Sequence, residues 1–145
     1  MTFKTKAFAA VCLFVASAAF AETEATDPAE IARQDLMKSF GGAAKTLGEM
    51  ASGKTAYDAA AAEAAKATLT AATTEIPAKF EVANTDPASK ASPDIWTNWE
   101  DFTAKAKALG DAGAALDVAS VESIGAGMGA IGGACKDCHS KNRMK

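Results

Sequence analysis

The sequence predicts an all-α protein, an antiparallel four-helix bundle in one domain. Three observations carry that expectation. Alanine, the strongest helix former, is abundant, while aromatics make up only 7% of the 145 residues. Apolar residues recur at alternating steps of three and four, the spacing that bundle helices bury. Pro28, Gly53, Pro77 and Pro93 fall where such segments should begin or end, and no stretch alternates as a strand would.

The first 21 residues stand apart from this pattern. Lys4 and Lys6 give a positive start, Ala7 to Phe20 is an apolar run, and Ala19-Phe20-Ala21 places small residues around one variable position. That layout predicts a secretory signal peptide over 1–21, cleaved after Ala21, and a mature domain over 22–145. The apolar run is short of the ~20 residues a bilayer span needs. Nothing later in the chain is long and apolar enough to cross a membrane. The leader contains Cys12, so two cysteines remain after it, Cys135 and Cys138. Val11 before Cys12 is bulky, which argues against a lipidated cysteine there.

The first predicted helix opens with Asp27 as N-cap, Pro28 at the first helical position and Glu30 at N3, a capping box. Met37, Phe40, Ala44, Leu47 and Ala51 continue its inner face, and Gly53 ends it. The second, very rich in alanine, is expected from about Tyr57 to Ile76, stopping at Pro77. Residues 81–91 lack periodicity and hold Asn84-Thr85-Asp86-Pro87, so they read as a loop, with Thr85 and Asp86 as turn formers. The third is expected to run unbroken from a Ser92 cap and Pro93, with Ile95, Trp99, Phe102, Ala106, Leu109, Gly113 and Leu116 inward. Trp96 and Trp99 read as bundle core and rim. The fourth begins near Ser120, and Ile124, Met128, Ile131, Cys135 and Cys138 form its seam. Glycines 125, 127, 129, 132 and 133 crowd it. Each costs ~1 kcal/mol relative to alanine in a helix. Two readings stand: close approach by a flat group or a neighbouring helix, or an irregular helical entry.

The seam ends in Cys135-Lys136-Asp137-Cys138-His139. C-x-x-C-H is the attachment motif of c-type haem. Residues i and i+3 share a helix face, so both thiols reach the two vinyl groups, and the histidine beside them reaches the iron. Export agrees, because c-type haem is attached outside the cytoplasm. Other uses of the pair fit less well. A thioredoxin-like site belongs to a βαβ context. Structural zinc wants four Cys or His ligands, and the mature chain offers three. A disulfide across so short a loop would stabilise little.

His139 is the sole histidine, so two histidines cannot ligate one iron within this chain. Methionine thioether is the remaining strong candidate for the other axial position. Met144 sits near a fraying terminus and Met50 near the far end of the first helix. Met128 lies eleven residues before His139 on the same helix, ~16 Å along its axis. Met37 remains, on the core face of the first helix one turn after Arg33. It reads either as an iron ligand, which would raise the potential, or as core filler, a common use of methionine.

Charge narrows the partners. Formal net charge is −3, with 15 basic and 18 acidic residues. Removing Lys4 and Lys6 leaves 13 basic residues and a charge of −5. That weighs against nucleic acid. The lysines, such as Lys105 and Lys107, read as solvated helix faces, without a ring that marks a docking site.

Arg33-Gln34-x-x-Met37 on the first helix, Asp94-Ile95-Trp96 at the start of the third and the C-terminal Cys135-x-x-Cys138-His139 together resemble the class II cytochromes c. The resemblance spans about Ala29 to Arg143. The motif's place near the C-terminus selects this class, since class I cytochromes carry it near the N-terminus. The resemblance implies a periplasmic four-helix bundle with one covalently attached haem c near one end. Cys135 and Cys138 match the thioether cysteines and His139 the proximal ligand. Arg33 and Gln34 match positions contacting the propionates, and Arg143 a basic residue near the proximal face, preceded here by Asn142 in place of the usual aromatic. Met37 falls where two branches divide. In one, methionine ligates a low-spin iron and the protein transfers electrons to redox partner proteins. In the other, the cytochrome c-prime branch, the iron is five-coordinate and binds nitric oxide or carbon monoxide. The expectation is the electron carrier, with His139 and Met37 as ligands and no enzymatic role. A peroxidase would lack a distal histidine as acid–base catalyst. Family members are often homodimers through the first two helices.

Overall fold

The structure is a computed structural model that describes residues 23–145. The expected leader, residues 1–21, and Glu22 lie outside the described residues. Five helices follow in order: α1 Pro28–Ala51, α2 Ala59–Phe80, α3 Asp94–Thr97, α4 Trp99–Ala115 and α5 Val121–Asn142. Among the described residues there is no strand, only an isolated antiparallel bridge between Ala91 and Arg143. α1 packs on α2 and α5, and α4 packs on the same two. Four long helices therefore close a ring, each beside its neighbours in sequence and running opposite to them, as the periodicity predicted.

The inward positions fill the ring. Leu47 of α1, Leu69 of α2 and Ile124 and Ile131 of α5 are fully buried, with Leu116 after α4 and Ile95 of α3. Small residues bring α2 close to α4: a Cβ on Gly110 would stand 3.0 Å from Thr73 Oγ1, and one on Gly113 3.4 Å from Thr70 Cγ2. Tyr57 donates its hydroxyl to the Val118 carbonyl at 2.9 Å. That bond ties the α1–α2 connection to the α4–α5 connection at the end of the bundle remote from the cysteines.

Several helix ends differ from expectation, each for a local reason. Asp27 does cap α1, accepting from the Ala29 and Glu30 amides. Glu30 does not complete a capping box; it is buried and turns to Arg33, Gln34 and Asn84. Gly53 follows α1 with φ 71°, the left-handed conformation glycine allows at a C-terminus. α2 is capped by Asp58, which accepts from the Ala61 amide. It runs past Pro77 to Phe80. Two of the last-turn carbonyls it would leave bare are bonded from outside, Lys79 by Arg33 Nε at 2.8 Å and Phe80 by Trp96 Nε1 at 2.7 Å, and Arg33 Nη2 donates to the Val82 carbonyl just past the helix.

The third predicted helix is broken at Asn98, whose φ and ψ are −126° and 49°. Asparagine favours turns over helix interiors because its side chain competes for nearby polar groups; here Nδ2 donates to Thr97 Oγ1. Past the break Trp99 packs on Phe102, and Phe102 on Phe80. α5 is regular throughout. Ser120 caps it in a reciprocal box with Ser123. Gly127 is the glycine that close packing requires: a Cβ there would lie 2.3 Å from Leu116 Cδ1. Glycines 125, 129, 132 and 133 face open space.

Candidate haem-attachment site

The cysteines occupy the last turns of α5. Both are free thiols, half-buried and packed against the main core. Burial pushes both thiols up from their ordinary range. For Cys135 the neighbouring Cys138 adds to that, and for Cys138 a hydrogen bond from Asn142 and the charge of Lys105 oppose it. They are therefore neutral at pH 7, three residues apart on one face, with one flank in the core. His139 is exposed. Covering of part of its ring, and then the Arg143 cation, pull the imidazole down. It is neutral at pH 7, the form that ligates metals.

The surrounding structure fixes this turn. Asn142 is buried and places Nδ2 3.6 Å from Cys138 Sγ. Its carbonyl accepts from the Ser92 amide at 2.9 Å, and Met144 N donates to the Lys90 carbonyl at 2.8 Å. The end of the chain is thus zipped onto the loop before α3. On the other side Lys105 of α4 pairs with Asp137, between the two cysteines, and with Asp101 at 3.8 Å. The sequence reads Lys105 as a solvated residue, yet its side chain is only 13% exposed. The Lys105–Asp137 pair and the Asn142–Cys138 bond have no signal in the sequence, because each depends on which residues the bundle brings together.

The α1 residues are level with this turn. Arg33 is 2% exposed. Its guanidinium lies 5.0 Å from the Phe80 ring centroid and 5.7 Å from that of Trp96. Phe80 packs on Phe102 with centroids 5.3 Å apart, and Lys105, one turn beyond Phe102, reaches Asp137. Met37, one turn beyond Arg33, therefore stands at the height of the cysteines. It is half-buried and packs on the same core. Met50 is core at the remote end, 4% exposed, and Met144 is 45% exposed. Met128 also lies half-buried against the core, but on α5 itself.

Arg33 has one donor to spare. Nη1 lies 3.7 Å from Glu30 Oε2 and makes no hydrogen bond. Gln34 donates to Glu30 Oε1 at 3.3 Å and Asn84 to Glu30 Oε2 at 3.4 Å, while Asn84 Oδ1 has no partner. A buried carboxylate and a buried guanidinium thus share a polar pocket, something the cap-like position of Glu30 concealed. Thr85 is exposed; Asp86 is more than a turn former. It accepts from the Thr26 and Asp27 amides at 2.8 and 2.7 Å and from Ala88 at 2.8 Å, stapling the loop to the start of α1. Arg143 is exposed and lines a shallow cleft with His139.

These residues fit a covalently held porphyrin: paired neutral thiols on a core-facing helix turn, an imidazole next to them, a thioether level with them, and a buried cation with an unused donor for an anionic edge. The comparisons agree. The family model described as Cytochrome C' matches residues 29–143. Cytochrome c-556 of Agrobacterium fabrum is 34% identical over 151 residues, covering 100% of this chain and 99% of that protein. The solved cytochrome c' from Rhodobacter spheriodes is 31% identical with a TM-score of 0.74, over 81% of this chain and 95% of that one. The nitric oxide complex of a point mutant of cytochrome c prime from Alcaligenes xylosoxidans is 26% identical with a TM-score of 0.68, over 81% and 94%. The chain belongs to the cytochrome c' family, the class II c-type cytochromes, four-helix bundles that carry one covalently attached haem c.

Proposed function

We propose that this chain is a periplasmic electron carrier whose haem is held by Cys135 and Cys138 and ligated by His139 and Met37. The observation that carries the reading is that Met37 of α1 and both thiols of α5 are half-buried against the same core. The full-length likeness to a cytochrome c-556 supports it. Bound haem supplies a one-electron iron couple, whose potential a His–Met ligand pair raises.

The protein's own groups set the rest. Cys135 and Cys138 would hold the haem as thioethers through its two vinyl groups, which requires both thiols to be free. Arg33 Nη1, with Gln34 beside it, would offer a donor to a propionate, and Arg143, which lines one cleft with His139, would add a positive charge near that ligand. The leader over 1–21 directs export and is removed, and no helix among the described residues is long and apolar enough to cross a membrane. The likeness to cytochrome c' structures supports a second reading, a five-coordinate iron that takes nitric oxide or carbon monoxide. Met37 would then be packing alone.

Optical spectra of purified holoprotein separate the two. The carrier gives a low-spin spectrum with a methionine–iron charge-transfer band at the red edge, and Met37→Ala converts it to a high-spin form that binds carbon monoxide. A wild-type spectrum that is already high-spin, or one that Met37→Ala leaves unchanged, would defeat ligation by Met37.

A further inference from the structure

Glu30 and Arg33 are the only charged residues buried among those described. Arg33 has a structural duty, since two of its nitrogens donate to the Lys79 and Val82 carbonyls. Glu30 has none that needs its charge. Its oxygens accept from Gln34 at 3.3 Å and from Asn84 at 3.4 Å, and a glutamine would fill the same space and accept from Gln34 in the same way. With the Asn84 amide turned over, the Nε2 of that glutamine would also donate to Asn84 Oδ1, which now has no partner. The pairing with Arg33 is loose: Oε2 stands 3.7 Å from Nη1, without a hydrogen bond. Taking two ions out of water costs as much as their attraction returns unless the geometry is excellent. Stability therefore does not account for this carboxylate. It is nevertheless the one carboxylate within ion-pair distance of Arg33 among the described residues.

We propose that Glu30 is a positioning residue for the haem that acts through Arg33: its buried charge offsets the field of the guanidinium and keeps the midpoint potential of the iron lower than Arg33 alone would set it. The inference rests on the reading of Arg33 Nη1 as a propionate donor. Reduction adds an electron to the haem, so a nearby cation favours the ferrous form and a nearby anion the ferric. Neither group is free to swing away when the charge of the iron changes. The guanidinium is tied to Lys79 and Val82 and lies over Phe80 and Trp96, and the carboxylate is tied to Gln34 and Asn84. In a dry pocket a fixed charge acts more strongly than in water, and salt screens it less than it screens a surface charge.

The test is spectroelectrochemical titration of holoprotein at pH 7. Glu30→Gln keeps the shape of the side chain and removes its charge; it is expected to favour reduction by up to ~10-fold, which is ~59 mV for one electron. Glu30→Asp keeps the charge and should titrate close to wild type. Glu49→Gln makes the same formal change on α1 at the remote end, where Glu49 pairs with Lys54, and should leave the potential where it is. The Glu30→Gln shift should persist at ~1 M salt, where the Debye length is ~3 Å. Asn84→Asp adds a carboxylate to the same pocket without touching α1 and should lower the potential, so the field is read even if Glu30→Gln does not fold. A Glu30→Gln potential equal to that of wild type or of Glu49→Gln would overturn the proposal. A Glu30→Asp shift as large as that of Glu30→Gln would assign the effect to the shape of the pocket and overturn it too, as would an Asn84→Asp potential that does not fall. Failure of Met37 ligation shows in the optical spectrum of wild type, whereas these comparisons read differences in potential between variants of one spectrum.

Discussion

Arg33 closes α2 from outside. Nε and Nη2 donate to the Lys79 and Val82 carbonyls, and the plane lies over Phe80 and Trp96. Only a planar fork does both, so charge alone is no substitute. Arg33→Lys is expected to lower stability by about 2 kcal/mol or more, because a hydrogen bond from a charged group contributes ~1.5–3 kcal/mol; urea denaturation of holoprotein measures it. Asp86 acts at the same scale by accepting three backbone amides. The bonds from Asp27, Ala88 and Thr26 hold its carboxyl below the ordinary aspartate value. A lowered folded-state value stabilises the fold above the unfolded value and is lost as pH falls through the folded one. Asp86→Ala should therefore have a lower Tm than wild type at pH 7, with the gap narrowing below about pH 4, the ordinary range for aspartate. A gap independent of pH would show that the carboxylate charge is not what holds the loop. In the sequence, Asp86 looks like a turn former and Glu30 like a helix cap, because the local signatures are the same; the distant partners that reassign them lie 60 and 54 residues away.

At the scale of the element, α5 carries the clearest contrast. Gly127 meets Leu116, which is 1% exposed and has little room to turn. Gly129 meets nothing. Gly127→Ala is expected to destabilise by about 1–3 kcal/mol through overpacking, partly offset by the ~1 kcal/mol helix preference for alanine. Gly129→Ala keeps only the preference and should stabilise by up to ~1 kcal/mol. Thermal melts of the two variants report the opposite signs; a common sign would refute the close approach. The glycine run itself leaves both readings open, since spacing does not say which glycine has a neighbour. Proline and asparagine mislead for a related reason. Pro77 signals a helix end, yet Arg33 and Trp96 supply the bonds that let α2 continue to Phe80. Asn98 sits inside an intact apolar repeat that gives no hint of the break between α3 and α4. The register of α1 is shifted from expectation: its buried face runs through Leu36, Phe40, Ala43, Leu47 and Met50, with Met37, Ala44 and Ala51 only half-buried beside it, because the periodic run offers two overlapping faces and packing chooses between them. Where side chains from other elements hold a helix, the sequence is not sufficient.

For the whole molecule, four apolar seams at steps of three and four make a closed ring, and one of them ends in the haem motif. That much of the fold and site is legible in the sequence, along with the three residues of the motif and the family they imply. The half-buried place of Met37 on the core and the buried Glu30–Arg33 pair follow only from packing. Ile124 and Leu69, fully buried in the ring, are its most sensitive points; either change to alanine should cost about 2–5 kcal/mol, read as a fall in the denaturation midpoint with the haem spectrum retained in native conditions. The account's central claim is that the two thiols of α5 hold the porphyrin covalently. Intact-mass measurement of protein recovered from a haem-competent periplasm, after acid–acetone extraction, tests it most directly. The account predicts a wild-type mass that keeps one haem through extraction and a Cys135→Ala, Cys138→Ala double variant that does not. A wild-type chain stripped of its pigment by the solvent would contradict it.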